Sequence, residues 1–236
     1  MLKKILCCVL CFACLTVCSC ETGNKKAGLH QAVVLDNISV EVSDFFGDSE
    51  NTYIVLKLLL SEHDSVYDGQ LSNVTLNTKM QGGYSYYCVA RNESKHTQTY
   101  LIHVNAPSKG KLDLTIKNYR SVINPMNRIV EGEWQFSIDS KRIKPLKETI
   151  VIENEPIDQI QLFDNAIIIH PSESINFEEF RSYQVSAFNS FEEEVFPEVN
   201  SISENNCYFD FVFLKFEKQE ELKKITINNI DYFFDG

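Results

Sequence analysis

Along most of this chain, apolar and polar residues change places at every step. The segment Lys111-Leu112-Asp113-Leu114-Thr115-Ile116-Lys117 shows it most clearly, and that period of two belongs to a strand with one buried face and one wet face. The same alternation predicts strands at residues 73–78, 99–104, 133–139 and 224–228. Longer apolar strands are expected at 33–42, 53–60, 160–169 and 208–216. Turn signals at Asp68-Gly69, Gly82-Gly83, Lys109-Gly110 and Asn124-Pro125 separate them. No window holds a sustained helical stripe; residues 177–183 and the acidic stretch around Glu192–Glu194 are the helical candidates. Many short strands broken by turns argue for an all-β chain of antiparallel β-sandwiches.

An internal echo divides the chain in two. Asp36-Asn37 before an apolar strand resembles Asp164-Asn165 before Ala166-Ile167-Ile168-Ile169, and Asn51-Thr52-Tyr53 resembles Asn206-Cys207-Tyr208. Asn73-Val74-Thr75-Leu76-Asn77 likewise parallels Lys224-Ile225-Thr226-Ile227-Asn228. This spacing places a first sandwich at 30–144 and a second at 145–236, the second with an insertion near 171–205.

The N-terminal stretch departs from this pattern. Lys3 and Lys4 precede an uncharged, mostly apolar run over residues 5–19, shorter than the roughly 20 residues a membrane-spanning helix needs. It ends Val17-Cys18-Ser19-Cys20, and here the chain resembles a bacterial lipoprotein signal. The resemblance implies cleavage after Ser19, read through Val17, Ser19 and Cys20, and a diacylglyceryl group on Cys20. Residues 1–19 are then a signal peptide, and 20–29 carry the lipidated cysteine and a flexible tether. Two acyl chains anchor a protein stably, so the expected place is the extracytoplasmic side of the cell membrane.

Composition narrows the partners. The chain has 22 basic and 33 acidic residues, a net charge of -11, and such a surface repels nucleic-acid backbones. Six of its eight cysteines lie within residues 1–20, leaving Cys88 and Cys207; they are a candidate disulfide or two separately buried thiols. Asp44, Asp48 and Glu50 lie near Gly47 and form a candidate calcium loop, although an oxygen-rich loop without EF-hand spacing is more often simply solvated. None of the five histidines has metal-ligand spacing with another. The alternation turns His103 away from the apolar face of its strand, so it is expected in solvent. Tyr84, Tyr86, Tyr87 and Tyr100 with Trp134 form a candidate sugar-stacking surface, against which the strand parity of Trp134, Phe136 and Ile138 puts Trp134 in the core. No GxSxG, HExxH, GxxxxGK[ST] or GxGxxG motif occurs, so no catalytic residue, metal or cofactor is assigned.

Trp134-Gln135-Phe136-Ser137-Ile138-Asp139, a connecting strand at 149–153, and Ile167-Ile168-Ile169-His170-Pro171-Ser172 are similar to the extracytoplasmic immunoglobulin-like regions, of unknown function, in Firmicutes anti-sigma-factor-like proteins. That resemblance implies two immunoglobulin-like sandwiches exposed at the envelope. A membrane-anchored, non-catalytic binding or sensing module is the leading expectation, its partners the membrane through Cys20 and an envelope protein or glycan. A structural envelope lipoprotein and a wall or polysaccharide hydrolase are the alternatives. Fatty-acid labelling in a bacterial host should mark the natural chain and not Cys20→Ala; absence of label from both would remove the anchor.

Overall fold

The structure is a computed structural model and describes residues 26–62, 64–67, 69–77, 83–123, 126–152, 156–172, 175, 182–205, 208–216 and 221–235. The signal and lipidation residues Val17, Ser19 and Cys20 lie outside the described residues, as do Cys207 and most of 177–183. Among the described residues no helix is long and apolar enough to cross a membrane.

The described chain is strands and turns, with one short 3-10 turn at Ser140–Arg142. Residues 32–139 supply β1 (Ala32–Leu35), β2 (Ile38–Gly47), β3 (Thr52–Leu59), β4 (Gly69–Asn77), β5 (Tyr84–Asn92), β6 (Thr97–Val104), β7 (Lys111–Ile123) and β8 (Met126–Asp139). They form sheet I, ordered β4-β7-β8, and sheet II, ordered β1-β2-β3-β6-β5, whose strand β2 is also joined by β9 (Lys144–Pro145). The remaining residues supply β10 (Glu148–Val151), β11 (Ile157–Leu162), β12 (Ala166–Pro171), β13 (Val185–Asn189), β14 (Glu194–Val195), β15 (Val199–Asn205), β16 (Tyr208–Lys215), β17 (Leu222–Ile227) and β18 (Ile230–Phe233). Sheet III runs β10-β11-β12-β16-β15, and sheet IV runs β14-β13-β17-β18.

Two orders match strand for strand. In the first half, β2-β3-β6-β5 faces β4-β7-β8; in the second, β11-β12-β16-β15 faces β13-β17-β18. Both follow the ABED and CFG arrangement of constant-type immunoglobulin sandwiches. The halves share this strand order, but the expected correspondences do not follow it: β2, β3 and β4 answer to β11, β12 and β13, whereas the sequence echoes paired them with β12, β16 and β17. Asp36-Asn37 turns β1 into β2 with both residues at positive φ, as paired left-handed turn residues do, whereas Asp164-Asn165 joins β11 to β12. The equivalent of β2 is β11, not β12. This removes the insertion near 171–205: the stretch from β3 to β5 and that from β12 to β15 are nearly equal in length, and the second supplies β13 and β14. The runs 33–42 and 160–169 are likewise two strands each, because these turns interrupt them.

Residues 26–29 are not free tether. Ala27 bridges β8 in parallel at Phe136, its amide donating to the Gln135 carbonyl and its carbonyl accepting from Ser137. Ala27 and Leu29 pack on the first core, and Lys26 pairs with Asp113 at 2.8 Å. The open edge of β8 captures the chain before β1 begins.

The four sheets stack in order. Sheets I and II share a core built on Trp134, Phe136, Tyr119, Phe45 and Ile54. Sheets III and IV share another, from Ile160, Ile167, Leu214 and Ile225. A third apolar cluster lies between sheets II and III: Phe46, Tyr53, Val55, Val89 and Leu101 meet Phe163, Ala166, Ile168, Val199 and Phe213. Each aromatic or branched side chain buried there contributes about 1.5–3 kcal/mol, so the two sandwiches are joined through their sheets as well as their linker.

Candidate functional site

Polar groups rim the seam between sheets II and III. Asp44 sits on β2 where the register with β3 shifts, and it is only 2% exposed. Lys144 pairs with it at 3.0 Å, Asn165 Nδ2 donates to it at 2.8 Å, and the Phe45 amide donates at 2.9 Å. Asp48 lies in the β2–β3 turn, where Oδ1 accepts from the Glu50 and Asn51 amides and Oδ2 accepts from Gln161 Nε2 at 2.7 Å. Glu50 is exposed. These contacts correct the calcium-loop reading. Asp44 is in a strand, and both aspartates are engaged by side chains from across the seam. Among the described residues no three His, Cys, Asp or Glu side chains are grouped to hold a metal ion.

Two histidines, one from each half, complete this rim. His103 on β6 stacks on Tyr53 with ring centroids 4.8 Å apart and planes 10° from parallel. Its Nε2 lies 2.9 Å from Asn51 Oδ1; an amide oxygen only accepts, so the ring donates there. On β12, His170 Nε2 lies 3.1 Å from Gln161 Oε1 and donates by the same reasoning, since Gln161 Nε2 is turned to Asp48. Burial, then the neighbouring His170, push His103 down to about 4, against a smaller upward pull from Asp48. This corrects the expectation of a solvated His103. The alternation rightly turned it from the first core, but sheet III covers the other face. Burial, then the Asp48 charge, likewise hold the Tyr53 phenol above its ordinary range.

The outer face of sheet IV is built differently. Val185, Ala187, Ile225 and Ile227 turn into the second core, leaving Ser186 and Phe188 on β13, Lys224 and Thr226 on β17, and Asp231 and Phe233 on β18 facing out. Phe188 pairs with Lys224 across the ladder, and Lys224 with Phe233. The Lys224 ammonium lies 4.5 Å from the Phe188 ring centroid and 5.9 Å from that of Phe233, within cation–π reach. It also reaches Asp231 at 3.1 Å, and Thr226 donates to the same carboxylate at 2.6 Å. The hydrogen bonds from Thr226, then Lys224, hold Asp231 below the usual carboxylate range.

Beside this row Phe196, just after β14, is 77% exposed, and Phe191 is lifted to 81% exposure by the β13–β14 hairpin. Its tip is braced: Asn189 Oδ1 accepts from the Phe191 and Glu193 amides, and Glu192 takes a positive φ of 62°. Glu192–Glu194 is thus a turn leading into β14 and not a helix. The surface combines exposed aromatic rings with the carboxylates of Glu192, Glu193 and Glu194, an arrangement suited to binding. Nothing in its sequence singled it out, because exposed and buried phenylalanines look alike in a one-dimensional pattern.

The other expected sites disperse. Trp134 and Tyr100 are buried in the first core, Tyr84 Oη donates to the Val74 carbonyl at 3.0 Å, and Tyr87 packs against the central cluster. They form no common stacking platform. Cys88 is a free thiol half-buried against the first core, and burial raises it above the ordinary thiol range; Cys207, its candidate disulfide partner, lies outside the described residues.

No family model matches the chain, and no curated protein matches it in sequence. Among solved structures, a conserved domain protein from Bacillus anthracis is similar at 13% identity and a TM-score of 0.40, over 84% of this chain and 75% of that one. Bovine butyrophilin is similar at 8% identity and a TM-score of 0.23, over 84% of this chain and 98% of that one. Neither carries an argument about activity.

Removing the Asp44 carboxylate strands Lys144 and Asn165. Asp44→Ala should cost about 3 kcal/mol in urea unfolding, the low end for a broken buried pair because Lys144 reaches solvent. Millimolar calcium should leave the melting temperature of the natural chain unchanged, and an upward shift would restore the loop as a metal site.

Proposed function

We propose that the chain is a lipid-anchored, extracytoplasmic, non-catalytic binding module that docks a cationic protein of the envelope on the outer face of sheet IV. The observation that carries this reading is Phe191, held in water by a braced hairpin, with the exposed Phe196 following the hairpin's second strand. Exposed apolar clusters of this kind mark interaction sites, and a knob already fixed in place loses less conformational freedom on binding.

Charge supports the choice of partner. From Ser182 to Glu198, the stretch that supplies β13 and β14, there is no Lys, Arg or His, while Glu192, Glu193 and Glu194 lie exposed at the hairpin. The cation on the face, Lys224, is already paired with Asp231. A partner with basic residues around an apolar socket answers both features.

The layer order supports the geometry. The chain enters at Ala27 on the β8 edge of sheet I, and sheet IV is the outermost layer on the other side. With packed sheets about 10 Å apart, a lipid on Cys20 would hold sheet I near the membrane and leave sheet IV about 30 Å farther along the stack.

A photo-crosslinking residue at Phe191 in intact cells should trap one protein through a Lys- or Arg-rich peptide, and Phe196→Ser should abolish the adduct. The same crosslinker at Val34, exposed in the first half, should not trap it. Equal trapping at both positions, or at neither, would overturn the docking face.

A further inference from the structure

We infer that the outer edge of β18 receives one extended, basic segment of the partner, which adds to sheet IV as a further strand. The choice of partner rests on the docking reading above, and the place rests on backbone geometry. Among the described residues sheet IV ends at β18. Asn228 and Asn229, at φ of 50° and 68°, form the two-residue turn from β17, and Ile227 pairs with Ile230 across it. In such a hairpin the closing pair exchanges hydrogen bonds, and every second pair along the ladder does the same. The Phe234 amide donates to the Lys223 carbonyl at 2.8 Å in that phase. Ile230 and Tyr232 therefore turn their backbone groups to β17, and Asp231 and Phe233 turn theirs outward.

The first half shows what such an edge takes. In the matching strand orders β8 is the equivalent of β18, and its edge is occupied by an extended segment running parallel to it. The Ala27 amide donates there to the Gln135 carbonyl at 3.0 Å, and the Ala27 carbonyl accepts from the Ser137 amide at 2.7 Å. On β18 a side chain takes one such place: Glu148 of β10 accepts from the Asp235 amide through both carboxylate oxygens, at 3.0 and 2.9 Å. The amides of Asp231 and Phe233 precede it along the same edge. Both faces of β18 are also incompletely covered. Ile230, on the core side with Tyr232 and Phe234, is 44% exposed, and Phe233, on the outer side, is 66% exposed. An added strand would cover both.

Charge selects the occupant. Asp231, Phe233 and Asp235 share the outer side of the edge, and Glu148 lies at its end. Asp231 is exposed, and the bonds from Lys224 and Thr226 leave its carboxylate with acceptor capacity. A segment with basic, apolar and basic residues at alternate positions matches this acid, aromatic, acid row. A second copy of β18 would set carboxylates against one another, and like charges facing across a ladder are destabilising. In strand addition the main chain supplies affinity and alternate side chains supply choice.

The probe is the capped peptide acetyl-Lys-Val-Leu-Val-Lys-amide, added at millimolar concentration to the full chain, with the Glu-Val-Leu-Val-Glu peptide as control. Amide hydrogen exchange followed by NMR should slow about tenfold, the equivalent of one hydrogen bond, at Asp231 and Phe233. It should stay unchanged at Tyr232, whose amide faces β17, and the control should protect neither position. Phe233→Pro removes an amide that sheet IV does not use and should weaken the probe about tenfold, read from the Asp231 amide shift, whereas Phe233→Val keeps that amide and should bind. Absence of protection at Asp231 and Phe233, or equal protection by the control, would overturn the inference. The two readings fail separately. Protection without an adduct at Phe191 would remove the docking partner and uphold the edge, whereas an adduct at Phe191 without protection would remove the edge alone.

Discussion

Sheets II and III each bury both faces, and the remaining structure is arranged around that. On β3, Ile54 and Leu56 enter the first core while Tyr53 and Val55 enter the seam; on β12, Ile167 and Ile169 enter the second core while Ala166 and Ile168 enter the seam. A strand with no wet face has no inexpensive place for a polar side chain. The polar groups on these faces consequently gather at the rim and hold one another there: Asp44 with Lys144 and Asn165, Asp48 with Gln161, and the two histidines with Asn51 and Gln161. The aromatic stacking of Phe46 on Tyr53 and against Phe163 fills the centre.

Much of the fold was legible because alternation reports parity. Residues 111–117 form part of a long strand with Leu112, Leu114 and Ile116 inward, and Trp134, Phe136 and Ile138 share the opposing wall. Parity does not say what lies beyond the other face. His103 and Asp48 were therefore assigned to water or a metal, although sheet III contributes Gln161 and His170 opposite them. The repeat was legible in kind but its strands were mismatched, since Asp-Asn turns occur at β1–β2 and at β11–β12 and short motifs cannot distinguish one strand from another. The exposed Phe191 and Phe196 were invisible for a related reason: a phenylalanine in an acidic stretch carries no mark of the turn that lifts it out.

The outer faces and the seam have separate structural roles. Sheet I receives the incoming chain at Ala27, sheet IV carries the Phe188, Lys224 and Phe233 row beside the hairpin, and the seam fixes the distance and angle between them. Under the proposed docking on sheet IV, a rigid seam would pass force to the whole molecule.

The central claim is that the apolar seam makes two sandwiches one body. Residual dipolar couplings of backbone amides from the full chain at pH 7.5 test it directly, using β2, β3, β6 and β7 for one half and β11, β12, β16 and β17 for the other. One alignment tensor should fit both sets together. Two tensors of different magnitude or orientation would mean that the halves move independently, and would contradict the account.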